Sequence, residues 1–174
     1  MPVKIVVLPS APKLWKSAIF AVSCFVLVVA SATTVALDQE KPLNKADEKT
    51  LIKWTAAMEA QSEGYRGMLA VAWSINNRAK NWGWSISDTI LKTSHFSCWN
   101  SGSNTRMLLD TISEHTWQLA SKAASLTDPD PTGGATHYLN KELTLKLHGK
   151  LPSWVSTMVE TAKIGKHTFL KETS

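Results

Sequence analysis

Apolar residues are distributed along this 174-residue chain in two different ways. The first is a continuous block. Ser17 to Leu37 runs for 21 residues without a charge, directly after Lys13 and Lys16. A basic flank, an apolar stretch and small residues near its end (Ala30-Ser31-Ala32 or Thr34-Val35-Ala36) are the parts of a secretory signal. The same 21 residues also suffice to cross a bilayer as an uncleaved anchor. The competing reading, a buried core helix, would place an all-round apolar helix at the edge of a small domain. Residues 1–37 are therefore read as a signal peptide or signal anchor. The chain is expected to be exported to the cell envelope, the periplasm or the medium, and to touch the membrane through this segment if it stays uncleaved. Asp38 to Ala46, polar and containing Pro42, reads as a tether, leaving 47–174 as the functional domain.

The second distribution is periodic. From Asp47 to Ala60 the positions Leu51, Trp54, Thr55 and Met58 recur at helical spacing, with Asn44 as the candidate cap. Gln61-Ser62-Glu63-Gly64 interrupts the pattern, and a second helix is expected from Tyr65 to Lys80 with Met68, Val71, Ala72 and Ile75 inward. Asn81-Trp82-Gly83-Trp84 reads as a turn, and Ser87 with Asp88 as the start of a short helix. A third long helix is expected over Arg106 to Leu126, using Leu108, Ile112, Leu119 and Ala123. Asp128-Pro129-Asp130-Pro131-Thr132-Gly133-Gly134 is a loop. Thr136 to Leu139 predicts a short strand, Pro152 to Glu160 a last helix, and Lys163 to Leu170 a hairpin turning at Gly165-Lys166. The fold class expected from these elements is α+β, mainly helical, in a single domain.

Composition narrows the partners. The formal charge is +5, but Lys4, Lys13 and Lys16 lie in the first 36 residues, which hold no acids. Without them 16 basic face 14 acidic side chains, too mild a balance for nucleic acid. Two cysteines, Cys24 and Cys98, imply no disulfide framework. Cys98 reads as a small buried residue beside Phe96, with a Cys24–Cys98 bond as the sharper alternative.

Four clusters stand out: Glu59-Ala60-Gln61-Ser62-Glu63-Gly64-Tyr65-Arg66-Gly67, Asn77-Arg78, Phe96-Ser97-Cys98-Trp99, and Asp130-Pro131-Thr132-Gly133-Gly134-Ala135-Thr136-His137-Tyr138. In this order, and with Pro152-Ser153-Trp154 and Ile164-Gly165-Lys166-His167-Thr168-Phe169 after them, they resemble the SleB-type cell-wall hydrolases over Ile52 to Leu170. The resemblance implies a lysozyme-like fold and cleavage of peptidoglycan between N-acetylmuramic acid and N-acetylglucosamine, generally as a lytic transglycosylase. It puts the catalytic glutamate, first in the family's E-A-x-G-E motif, on Glu59. The motif's glycine is Ser62 here, and serine tolerates a positive φ poorly, so the bend between the two helices is expected to differ slightly.

The chemistry of the residues agrees. A glycosidic oxygen leaves only when a carboxylic acid protonates it, and such an acid works best against apolar walls. Glu59 follows Met58 and lies one turn after Thr55 at the end of an apolar helix. In a lytic mechanism the same group then takes the proton of the sugar's 6-hydroxyl, so neither a metal nor a cofactor is expected. Glu63 is the candidate catalytic support, with a helix cap or a partner for Arg78 as its structural alternatives. Thr136, His137, Tyr138, Trp99, Asn77 and Arg78 are the candidate saccharide contacts, against the alternative that they fix loops and fill the core. Three other functions stay open: a zinc amidase drawing on His95, His115, His137, His148 and His167; a cysteine peptidase using Cys98 with His137; and a non-catalytic wall-binding module. The chain's brevity fits a phage endolysin acting as a monomer.

Overall fold

The computed structural model describes residues 43–173. The signal or anchor segment, most of the expected tether and Cys24 lie outside the described residues. Helix α1 (Glu48–Ala60) starts at Asp47, whose carboxylate accepts from the Thr50 amide at 3.0 Å and from the Thr50 hydroxyl at 2.7 Å. Those bonds satisfy an amide that the first turn leaves without a partner. Asp47, not Asn44, is thus the cap: Asn44 falls in the separate 3-10 turn Leu43–Lys45, ahead of the helix start. Helix α1 buries Leu51, Ile52, Thr55, Ala56, Ala57 and Ala60.

A 3-10 turn, Gln61–Glu63, separates α1 from α2 (Gly64–Trp82). The bend is made at Gly64, with φ 63° and ψ −161°, a region reserved for glycine. Ser62, by contrast, keeps a negative φ, so the serine that replaces the motif's glycine carries no backbone strain. Helix α2 is the central helix. Besides the expected Met68, Val71, Ala72 and Ile75 it buries Leu69, Ala70, Ser74, Arg78 and Ala79. It continues through Asn81 and Trp82, where a turn is expected from sequence, and stops at Gly83 in the left-handed conformation.

Helix α3 (Ile86–Leu91) is capped by Ser85, which accepts from the Asp88 amide. The single long helix expected over 106–126 is two helices, α4 (Thr105–Asp110) and α5 (Glu114–Ala124). The break has a local cause. Thr111 turns its hydroxyl back to the Leu108 carbonyl, and Ser113, in extended conformation, accepts from the Thr116 amide to cap α5. The apolar periodicity hides this because Ile112 is buried within the break while α4 buries nothing.

Strand β1 (His137–Leu139) leads into helix α6 (Lys141–His148), capped by Asn140 and ended at Gly149. Leu143, Leu145 and Leu147 alternate along α6 and are all exposed, so no helical stripe announces it in the sequence. The expected helix from Pro152 shrinks to a 3-10 turn, Ser153–Thr157, followed by strand β2 (Met158–Ile164). The β-branched Val159 and Thr161 suit that strand. Strand β3 (His167–Glu172) follows the expected turn at Gly165-Lys166 and pairs antiparallel with both neighbours, giving the order β1-β3-β2. In this register Tyr138 lies beside Phe169.

Helices α1, α2 and α5 pack together around Leu51, Met68, Val71 and Ile75, and Ala120, Ala123 and Ala124 of α5 complete the same core. Small side chains let these helices approach closely. A second, smaller cluster of Ala70, Ala135, Ile164 and Phe169 ties the sheet to α2. The bend between α1 and α2 is the point through which both clusters are aligned. Gly64→Ala is expected to destabilise the fold by about 1–3 kcal/mol, because no other residue holds that conformation without strain. Urea unfolding measures it, and an unchanged midpoint would show that the bend relaxes freely.

Candidate active site

Helix α1 delivers Glu59 half-buried at its last turn, and three donors converge on its carboxylate. Oε1 accepts from the Ser97 hydroxyl at 2.9 Å and from the Cys98 amide at 3.1 Å. Oε2 accepts from the Tyr138 hydroxyl at 3.3 Å. The first two come from the 3-10 turn Ser97–Trp99, the third from β1. Oε1 is therefore fully engaged, while Oε2 keeps a free lone pair beside one longer bond.

The donors are stable as donors. Burial, and then the negative charge of Glu59, push the Tyr138 phenol well above its ordinary value, so it stays protonated. Burial and Glu59 likewise raise the Cys98 thiol. Cys98 is buried and free of any disulfide among the described residues. A raised thiol is the reverse of what a nucleophile needs. The cysteine-peptidase alternative thus fails on chemistry, and Cys98 serves Glu59 through its backbone amide.

Glu63 is held elsewhere. Because the helix breaks at Gln61, Glu59 and Glu63 do not continue along one face. The Glu63 carboxylate, 5% exposed, accepts from the Lys166 amide at 2.9 Å and from His167 Nδ1 at 2.9 Å. A Cβ on Gly67 would come within 2.5 Å of the Glu63 Cβ, and one on Gly165 within 2.7 Å of its Cδ. Both glycines are there to make room for this side chain. Neither a partnership with Arg78 nor a side-chain cap of α2 is formed.

Of the remaining candidates, Asn77 and Arg78 brace the loop before β1, together with Tyr65 and Trp73. Tyr65 and Trp73 bond Asp128, and Asn77 donates to Asp130 at 2.9 Å and to the Ala135 carbonyl at 3.2 Å. Burial alone would raise the Asp130 carboxyl, but donors from Thr132, Asn77 and Gly134 hold it below its ordinary value. Arg78, 4% exposed, gives its Nε–H to the Thr136 carbonyl at 2.7 Å and lies over the rings of Trp82 and Phe96. Thr136 is buried, its amide bonded to Leu170 and its hydroxyl to His137. His137 packs between Trp82 and Trp154. Trp99 donates its indole N–H to Thr55 and leans on Trp54. Only Tyr138, of the candidates besides Glu59 itself, is brought to the Glu59 carboxylate. Ser97, inside a motif conspicuous in the sequence, was not singled out there, and His167 was named only as a zinc-ligand candidate of the amidase alternative; nothing in their spacing links either to a glutamate.

Among the described residues, no three His, Cys, Asp or Glu side chains gather closely enough to share a metal ion. His95 is bonded to the Thr89 carbonyl, His137 to Thr136 and His167 to Glu63, so the zinc-amidase alternative lacks a ligand set there. A concavity of about 540 Å³ does open on the molecule, but it is lined by Asn77, Lys80, Asn81 and Glu172 and not by Glu59. Pocket volume is a poorer guide here than the convergence of donors on one carboxylate.

Burial, with help from Arg78 and His95, lowers His137 from 6.5 to about 4. Between those two values the unfolded chain binds a proton that the fold refuses, so stability falls as pH drops through this window and is unaffected above it. His95 is lowered in the same sense. Urea midpoints taken from pH 7 to pH 4 should fall, and His137→Gln should flatten the fall; an equal slope in both proteins would place the proton elsewhere.

The Cell Wall Hydrolase family model matches residues 62–170, so Glu63, the Cys98 turn and Tyr138 lie inside the match and Glu59 just ahead of it. The catalytic domain of the Bacillus cereus SleB protein superposes with a TM-score of 0.54 at 25% identity, covering 76% of this chain and 99% of its own. The catalytic domain of the germination-specific lytic transglycosylase SleB from Bacillus anthracis gives 0.54 at 26% identity, covering 75% and 99%. No curated protein matches. The mainly helical α+β architecture is thus the lysozyme-like fold of these catalytic domains. With its match running over more than half of the chain, through the donor turn and most of the sheet, the chain belongs to the Cell Wall Hydrolase family.

Proposed function

We propose that this protein cleaves the glycan strand of peptidoglycan between N-acetylmuramic acid and N-acetylglucosamine as a lytic transglycosylase, with Glu59 as its acid and base. Membership of the family supplies peptidoglycan as the substrate and an enzyme as the class. The Bacillus anthracis relative, a lytic transglycosylase, supplies the reaction type. The observation that carries the assignment is the set of three donors around Glu59, two on Oε1 and one on Oε2.

That geometry suits one group working twice. With Oε1 saturated, the acidic proton belongs on Oε2, which passes it to the glycosidic oxygen as the bond from C1 of the muramic acid breaks. The carboxylate left behind is stabilised by Ser97, Cys98 and Tyr138, none of which gives up its proton. It then accepts the proton of the sugar's 6-hydroxyl as that oxygen bonds to C1 and closes the anhydro ring. No water is consumed. A hydrolytic route would need a second carboxylate to position water or to act as nucleophile. The nearest acid in sequence, Glu63, has both oxygens committed to the β2–β3 turn.

Peptidoglycan lies outside the cytoplasmic membrane, so the enzyme acts there. The uncharged Ser17–Leu37 segment behind Lys13 and Lys16 supports export by a signal peptide or retention by an uncleaved anchor. Among the described residues no helix is long and apolar enough to cross a membrane. A monomer suffices, since every donor to Glu59 comes from the same chain.

The purified full chain, incubated with peptidoglycan and followed by mass spectrometry of the released muropeptides, tests the proposal. Anhydro-muramic ends are expected. Glu59→Gln should slow their release by roughly a hundred- to ten-thousandfold, and Tyr138→Phe by roughly ten- to a hundredfold, the worth of one hydrogen bond to a charge. Reducing sugar ends would replace the lytic mechanism with hydrolysis, and free stem peptides on intact glycan would overturn glycosidic cleavage altogether.

A further inference from the structure

We propose that Glu63 and His167 are positioning residues, which set the Tyr138 phenol against the acid/base and so act on the reaction without touching substrate. The proposal rests on the assignment of Glu59 above. Glu63 and His167 are 5% and 14% exposed, and their 2.9 Å bond joins the start of α2 to the start of β3. Burying a carboxylate is costly unless its oxygens are satisfied. Here each oxygen has one donor, the Lys166 amide and His167 Nδ1. Two separate elements give up their side chains, at Gly67 and Gly165, to seat it.

A clamp of this kind would serve stability alone if its contacts ended in the core. They end on the active carboxylate instead. With Nδ1 donating to Glu63, the plane of the His167 ring is fixed. That ring meets Tyr138 edge to face, with centroids 5.1 Å apart and planes at 77°. Phe169 and Phe96 bound Tyr138 on other sides, at 5.5 and 6.3 Å. Of the three aromatic neighbours, His167 has its orientation set by a hydrogen-bonded carboxylate. The phenol reaches Glu59 Oε2 at 3.3 Å, the long end of a hydrogen bond, so a small tilt of the Tyr138 ring would break it. Misplacement on the scale of 1 Å is enough to cost a reaction about a hundredfold.

The two glutamates of the segment therefore have divided roles. Glu59 exchanges the proton, and Glu63 holds the tyrosine that orients it.

A double-mutant cycle on the full chain separates this from a structural role. kcat and KM for peptidoglycan turnover are measured for wild type, E63Q, Y138F and the double variant, with E59Q alongside and thermal melts for each. E63Q is expected to lower kcat about tenfold with KM within about twofold. The double variant should be no slower than Y138F, because Glu63 has nothing left to position once the hydroxyl is gone. H167N gives a second cycle with Y138F that leaves the Lys166 amide on Glu63, and it carries the test if E63Q does not fold. Losses that multiply in the cycle, or a change confined to KM, would overturn the positioning role. E63Q falling to the level of E59Q would overturn it differently, by making Glu63 a second proton-transferring group. Activity surviving in E59Q overturns the acid/base assignment on which the pair's role rests, a result the cycle itself does not produce.

Discussion

Two carboxylates four residues apart on one continuous helix would sit side by side and repel each other. In this protein the backbone turns between them: α1 stops at Ala60, one 3-10 turn follows, and Gly64 takes a conformation open to glycine alone. That bend sends Glu59 toward the Ser97–Trp99 turn and β1, and Glu63 into the hairpin between β2 and β3. Much of the site follows from this separation. One carboxylate is left half-buried with a free lone pair on Oε2, and the other becomes part of the frame.

The frame itself is polar and is built mostly from α2. Tyr65, Trp73, Asn77 and Arg78 project from this helix onto the loop at 128–136, the first two holding Asp128, Asn77 holding Asp130 and Ala135, and Arg78 holding Thr136. Arg78 is the costliest of them. Burial lowers its guanidinium, and it is accommodated by the faces of Trp82 and Phe96 and by the Thr136 carbonyl. What this arrangement secures is the position of β1, and therefore of Tyr138, relative to a glutamate on a different element. The loop in turn uses Asp130 to tie its own backbone at Thr132 and Gly134.

A division of labour also runs through the aromatic and sulfur groups. Tyr138 and Cys98 are both kept protonated by burial and by the Glu59 charge. The tyrosine then offers a hydroxyl to the acid, while the cysteine contributes only its amide. Most of the tryptophans with described contacts, among them Trp54, Trp73, Trp82 and Trp99, spend those contacts on the protein's own structure, which leaves composition a weak guide to sugar binding here.

Much of this was legible along the chain. The apolar spacing of α1 and α2, the Asp-Pro-Gly loop and the Gly165-Lys166 turn are local signals, and each element formed where its signal lies. The motif around Glu59 marked the segment whose carboxylate gathers three donors. Local signals failed where short-range polar chemistry competed with apolar spacing, as at Ser113, and where exposed leucines carried no period, as in α6. The partners of the two glutamates were beyond reach for another reason. Ser97 meets Glu59 across 38 positions, Tyr138 across 79, and His167 meets Glu63 across 104. Sequence by itself determined which residue types were available and where helices α1 and α2, the loop after Thr127 and the Gly165-Lys166 turn would form, because those depend on neighbours a few positions away. Only the tertiary structure decided which glutamate meets the Ser97–Trp99 turn and Tyr138 and which is locked into the hairpin, because that depends on the direction of one bend and on what packs across it.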